Sequence, residues 1–164
     1  MTTPIELSIP LPRSVDTRIY MQLTIKSKAI TLFLTTASAE EAGAPPPMGS
    51  LVYALPDKYT PSQPLSTALF TVEPTVEFTT RMAKLIAKKT RLPTYVGNSI
   101  SFASTGLGGT VEEEMEAFKR VAELVLSNLQ HVIDPVKGQS NGTEVRGQSN
   151  VSDHLSSLIG ATSI

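Results

Sequence analysis

The sequence predicts an α+β domain: a mainly antiparallel sheet with two helices lying on one of its faces. Three observations carry this. The adjacent runs Arg18–Lys26 and Ala29–Ala37 alternate apolar and polar residues, the pattern of half-buried strands joined as a hairpin. The stretch Pro64–Ile100 reads as strand, helix, strand, its period changing to that of a helix at Val76 and back again at Thr94. Strands dominate the first half of the chain and helices the second, a segregation that favours α+β over a regularly alternating parallel fold.

Taken in order, Ile5, Leu7, Ile9 and Leu11 alternate with Glu6, Ser8 and Pro10. The prolines at 4, 10 and 12 assign this strand to a sheet edge, because proline cannot donate to a ladder. In the hairpin, Ile19, Met21, Leu23 and Ile25 face one way, as do Ile30, Leu32 and Leu34 across the Ser27-Lys28 break. Residues 37–50 form a loop, since Gly43-Ala44-Pro45-Pro46-Pro47 suits neither a helix nor a central strand. Leu51–Leu55 is a short strand and Leu65–Val72 the next. Pro74 is tolerated at a helix start, where the first N–H groups have no partner. Phe78, Met82, Leu85 and Ile86 then mark an apolar helical face, and Leu92-Pro93 stops the helix before a strand over 94–100.

A long helix is expected from Thr110 to about Val132. Thr110 and Glu113 have the spacing of a capping box, and the acids at 112, 113, 114 and 116 suit the positive end of the dipole. Val111, Met115, Phe118, Ala122, Val125, Leu129 and Val132 form its expected apolar stripe. Asp134-Pro135 ends it. Beyond, Gly138-Gln139-Ser140-Asn141 recurs as Gly147-Gln148-Ser149-Asn150, a low-complexity composition that cannot bury enough apolar surface to order itself. The expected division is therefore a folded domain over 1–133 and a disordered tail over 134–164.

The totals exclude several functional classes. A net charge of −1 gives no general attraction to nucleic acid or anionic membranes. The absence of cysteine removes disulfides and thiolate metal sites. The longest apolar run, Ala29–Leu34, is far shorter than the ~20 residues of a membrane span, and no signal-peptide pattern opens the chain. A soluble intracellular domain is expected, and the glycosylation sequons at Asn141 and Asn150 are then never met by their enzyme.

No enzyme is expected, and no cofactor or metal. The Gly106-Leu107-Gly108-Gly109 loop before a helix has neither the lysine and hydroxyl of a P-loop nor the dinucleotide fingerprint, and the glutamates that follow would repel a phosphate. His131 suits a helix C-terminus and His154 a solvated tail, with no cluster to hold zinc. Two features point instead to protein partners. With both helices on one sheet face, the other would expose Phe33, Val52, Ala54, Ala68, Phe70 and Val72, an apolar patch suited to a dimer. The cations Arg81, Lys84, Lys88, Lys89 and Arg91 concentrate toward the end of the first helix. They are read either as a solvated face or as a contact for an acidic protein surface, in which Lys84, Lys88, Lys89 and Arg91 are the candidates.

Four strings, in order, carry a family resemblance: Pro64-Leu65-Ser66-Thr67, Ala87-Lys88-Lys89-Thr90, Tyr95-Val96-Gly97-Asn98 and Glu113-Glu114-Met115-Glu116-Ala117-Phe118. Over residues 15–132 the chain resembles the proteasome assembly chaperones, in particular the fourth, which pairs with the third. The resemblance implies a non-enzymatic chaperone of 20S proteasome assembly, cytoplasmic and nuclear, with a six-stranded sheet and two helices. It also implies a heterodimer with the third chaperone that promotes formation of the alpha ring and contacts alpha subunits, the fifth among them. The proline-rich loop at 40–48 and the tail inherit no role from it. The ending Ala161-Thr162-Ser163-Ile164 lacks the hydrophobic-tyrosine-any signature of other proteasome binders, so docking by the C-terminus is not expected. The alternative reading is a small α+β adaptor for another protein complex.

Overall fold

The computed structural model describes residues 2–41 and 43–134; the tail repeats, both sequons and His154 lie outside them. Its centre is the expected hairpin. β2 (Thr17–Lys26) and β3 (Ala29–Ser38) pair antiparallel along their full length, from Thr17 opposite Ser38 to Lys26 opposite Ala29. β1 (Ile5–Pro10) adds to β2 at one edge, where its prolines require it to be. β4 (Ser50–Leu55), β5 (Leu65–Phe70) and β6 (Thr94–Ser99) complete a six-stranded sheet in the order β1-β2-β3-β6-β4-β5. All neighbours are antiparallel except β3 and β6, which run parallel because β6 inserts between β3 and β4.

The stretch 64–100 is strand, helix, strand as expected. α1 (Glu73–Thr90) leads from β5 across β4 and into β6, and packs on β4, β5 and β6. It begins without a cap from its own sequence: Val72 occupies the N-cap position, where its side chain accepts nothing. Ser50 of β4 substitutes. Its hydroxyl accepts the Val72 N–H at 2.9 Å and shares a hydrogen bond with the Thr75 hydroxyl at 2.8 Å. At the other end Arg91 takes the left-handed conformation and donates its N–H to the Ala87 carbonyl, so the turn closes one residue before Leu92-Pro93.

α2 (Val111–Asn128) starts at the expected capping box but ends earlier than expected, with α3 (Gln130–Ile133) following a break at Leu129. The break has a local cause: the Ser127 hydroxyl and the Asn128 amide both donate to the Leu124 carbonyl, competing with the helical ladder. The apolar stripe is also rotated from expectation. Ala122, Val125 and Leu129 are buried and Phe118 packs on Phe78, but Val111 and Met115 are exposed, while Glu113, Ala117 and Val121 are buried in their stead.

One sheet face and the helices enclose the core. In register across the strands, Leu23, Leu32, Val96 and Val52 form a buried row under the helices, joined by Ile19, Met21, Ile30, Leu34 and Ala54. Val52 and Ala54 are thus placed opposite to expectation. They are fully buried on the helix side, and Ala68, paired to Val52, continues that row at the sheet's outer end. Val72 is corrected too, since β5 ends at Phe70 and Val72 belongs to the start of α1.

Candidate protein-binding faces

Alternation along each strand sends every second side chain to the face that no helix covers. One row across it reads Gln22, Phe33, Gly97, Leu51, Phe70, and the next Thr24, Thr31, Tyr95, Tyr53, Thr67. Phe33 and Phe70 are where expected, 50% and 47% exposed. The Phe33 ring lies against Gly97, so close that a Cβ there would fall 2.7 Å from the ring. Tyr53 and Tyr95 stack with centroids 4.5 Å apart. Tyr20, Leu55, Leu65 and Leu69 add exposed apolar surface around them. At the β1–β2 end the face turns polar, where Arg18 donates to the Ser8 hydroxyl at 3.1 Å beside Glu6 and Gln22. An aromatic centre with a polar margin is the anatomy of a protein interface.

The proline-rich loop belongs to this face as well. Pro46, Pro47 and Met48 stand over Tyr20, Gln22 and Phe33, leaving an open cavity of about 580 Å³ between loop and sheet. Sequence reasoning gave the loop no role. It also missed Tyr20 and Tyr95, which alternation in their own strands places on this face, and the half-buried Leu51 and Tyr53, which the uniformly apolar β4 hid.

The basic candidates lie elsewhere. Lys84, Lys88 and Lys89 are exposed on α1, on the other side of the sheet from Phe33, and Arg91 is its exposed C-cap. Among the described residues the ion pairs are Glu77–Arg81 and Glu116–Arg120, neither involving these four. Arg81 also stands over the Phe118 ring, 5.7 Å from its centroid. With Leu85 and the turn from Asp57 to Leu65, Arg81, Lys84 and Lys88 line a groove of about 610 Å³. The ten candidates therefore do not form one site: Phe33 and Phe70 lie on the aromatic face, Val52 and Ala54 are buried under the helices with Ala68 exposed at the end of their row, Val72 is half-buried at the start of α1, and the four cations form a basic ridge.

The glycine-rich loop holds an anion, and the anion is the protein's own. The buried Glu113 carboxylate accepts the Leu107 N–H at 2.8 Å, the Gly109 N–H at 3.1 Å and the Thr110 N–H at 3.2 Å, with the Thr105 hydroxyl at 2.7 Å. Gly108 and Gly109 reach this shape at φ of 74° and 87°, where a side chain is strained. Burial, the largest single influence, favours the neutral acid; the four hydrogen bonds together outweigh it and hold the carboxyl below its ordinary value of 4.5. With the folded-state pKa below the unfolded one, the carboxylate's stabilisation is fully present above the unfolded value and is lost as pH falls through the lower, folded-state value. The Glu113→Gln variant is expected to melt several degrees lower than the parent at about pH 7, with the gap narrowing steadily as pH falls below 4.5. Thermal melts across that pH range check this; a constant gap removes the carboxylate's charge from the explanation.

These arrangements offer surfaces for partners. Among the described residues no three acids or histidines gather as a metal site, and no helix is long and apolar enough to cross a membrane. No curated protein sequence matches the chain. A solved structure with the same fold is titled "Crystal Structure of a Novel Chaperone Complex for Yeast 20S Proteasome Assembly": the two share 15% identity at a TM-score of 0.51, over 80% of this chain and 98% of that one. The sequence matches the family described as Proteasome assembly chaperone 4 over residues 18–100, from β2 through β6 and just past it. That match spans half the chain, which belongs to the proteasome assembly chaperone 4 family and so to a group of non-enzymatic assembly chaperones.

Proposed function

We propose that this protein acts in 20S proteasome assembly as one half of a heterodimer with the third proteasome assembly chaperone. The two chains join through the uncovered sheet face, and the pair promotes formation of the alpha ring, contacting alpha subunits and the fifth among them, in the cytoplasm and nucleus. The observation that carries the reading is the row of Phe33, Gly97, Leu51 and Phe70 beside the stacked Tyr53 and Tyr95, a contiguous aromatic surface on the open side of the sheet. Family membership supports the proteasome as its setting. The decisive experiment is co-expression with the third chaperone, followed by affinity purification and mass spectrometry. An equimolar complex that carries immature alpha-ring species is expected. A monomer that ignores both overturns the reading, and recovery of another complex's subunits would favour an adaptor.

The basic ridge supplies the second contact. Charge reversal at Lys84, Lys88, Lys89 and Arg91 is expected to weaken capture of alpha subunits about tenfold at low salt and less at high salt, where the Debye length shrinks. The fold should stay intact, since all four side chains are exposed. Affinity measured across a salt series checks this, and an unchanged value at every ionic strength would return the cations to the role of a solvated face.

A further inference from the structure

We propose that the free edge of β5 receives an extended acidic segment of a partner protein, which adds to the sheet as a seventh strand while its carboxylates meet Arg81, Lys84 and Lys88. This rests on the reading of the basic ridge as a partner contact and names the chemistry of what binds there. Both edges of the sheet are open among the described residues, but only one is defended. β1 carries Pro10 within the strand, Pro4 and Pro12 beside it, and the charge of Glu6. β5, Leu65-Ser66-Thr67-Ala68-Leu69-Phe70, has no charge and no proline, and five of its six residues are exposed. Unpaired N–H and C=O groups on such an edge are a template for another strand.

Charge decides what kind of strand. Leu65, at the start of β5, lines the same groove as Arg81, Lys84, Leu85 and Lys88. The one carboxylate in that lining, Asp57, already accepts the Tyr59 N–H at 2.9 Å. A chain entering beside Leu65 therefore meets three cations, of which Lys84 and Lys88 have no ion-pair partner among the described residues while Arg81 stands 3.8 Å from Glu77, and acidic side chains match them. A second copy matches these cations poorly, because its β5 carries no carboxylate to set against them. Nucleic acid fits poorly as well, since a strand edge offers backbone groups that a peptide complements. The bulge between Leu51 and Val52 irregularises the pairing opposite Leu69, so the regular edge to be extended is Leu65–Ala68.

The test is a selection of random peptides about twelve residues long on the full chain at low salt, followed by hydrogen exchange on the complex. Selected peptides should be acidic, rich in β-branched residues and poor in proline, and should slow exchange of the β5 amides. Lys84→Glu with Lys88→Glu should cost them about tenfold or more in affinity. Thr67→Pro and Ala68→Pro should each be made, since adjacent residues direct their N–H to opposite edges; the one that keeps the fold should lose binding. Exchange on the parent protein decides even where both variants unfold. Acidic peptides that bind without protecting β5 overturn strand addition and leave the ridge contact standing. Peptides without acidic bias, no binders, displacement by single-stranded RNA, or self-association through β5 each overturn the proposal. The co-purification experiment tests the assembly role separately.

Discussion

A Gly49→Ala chain is expected to lose about 3 kcal/mol of stability and roughly 10 °C in melting temperature, because, of the described glycines, it has the least room for a methyl. Gly49 enters β4 directly beside β6. A Cβ there would fall 1.8 Å from the Asn98 carbonyl oxygen and 2.5 Å from its carbon, distances that no rotamer relieves because both partners are backbone. The only escape is for the start of β4 to withdraw. That withdrawal would disturb Ser50, whose hydroxyl serves the start of α1, and the fully buried Val52 and Ala54 behind it. Gly97→Ala is the instructive contrast. Its Cβ meets the Phe33 ring, a half-exposed side chain that can swing aside, so the stability loss is smaller and the damage falls on the surface. Urea unfolding checks both: a midpoint lowered at constant slope for Gly49→Ala, with a smaller drop for Gly97→Ala. Equal midpoints would mean that β4 can move at little cost.

How much of this was legible depends on what each segment's pattern could encode. β2 and β3 alternate cleanly, so Ile19, Met21 and Leu23 faced the core as read and Phe33 faced away. β4 reads Leu51-Val52-Tyr53-Ala54-Leu55, apolar at every position, and alternation there carries no information. What chooses its face is tertiary: Ser50 bonds to Thr75 of α1, which turns Val52 and Ala54 under the helix. In α2 the capping box was legible, yet four nearby glutamates looked equivalent. Only Glu113 turns inward to the loop, and it takes Ala117 and Val121 with it in place of Val111 and Met115. The repulsion expected between those acids and a phosphate is realised differently, for Glu113 itself fills the place an anion would take. The parallel β3–β6 pair was not legible, because strand order depends on where β6 inserts.

The Phe33→Asp variant is expected to fold with a stability within about 0.5 kcal/mol of the parent while losing about thirtyfold or more in affinity for the third chaperone. The two halves of this prediction have separate causes. Half of the Phe33 surface already meets water and its contact is with the glycine beside it, so removing the ring opens no internal cavity. At an interface the same ring would sit near the middle of the sheet face, between the polar β1–β2 end and the apolar β5 edge, where large aromatic side chains carry most of the binding energy. A thirtyfold loss corresponds to about 2 kcal/mol, the threshold of a hot spot, and a carboxylate buried unpaired against Tyr95 and Leu51 of its own face can exceed it. Titration calorimetry with the purified partner, alongside urea unfolding of the free variant, separates the outcomes. Unchanged affinity would take the open face out of the interface and leave the basic ridge and the β5 edge as the remaining contacts. Lost stability would instead assign Phe33 to the fold, as the cover for a backbone that Gly97 leaves bare.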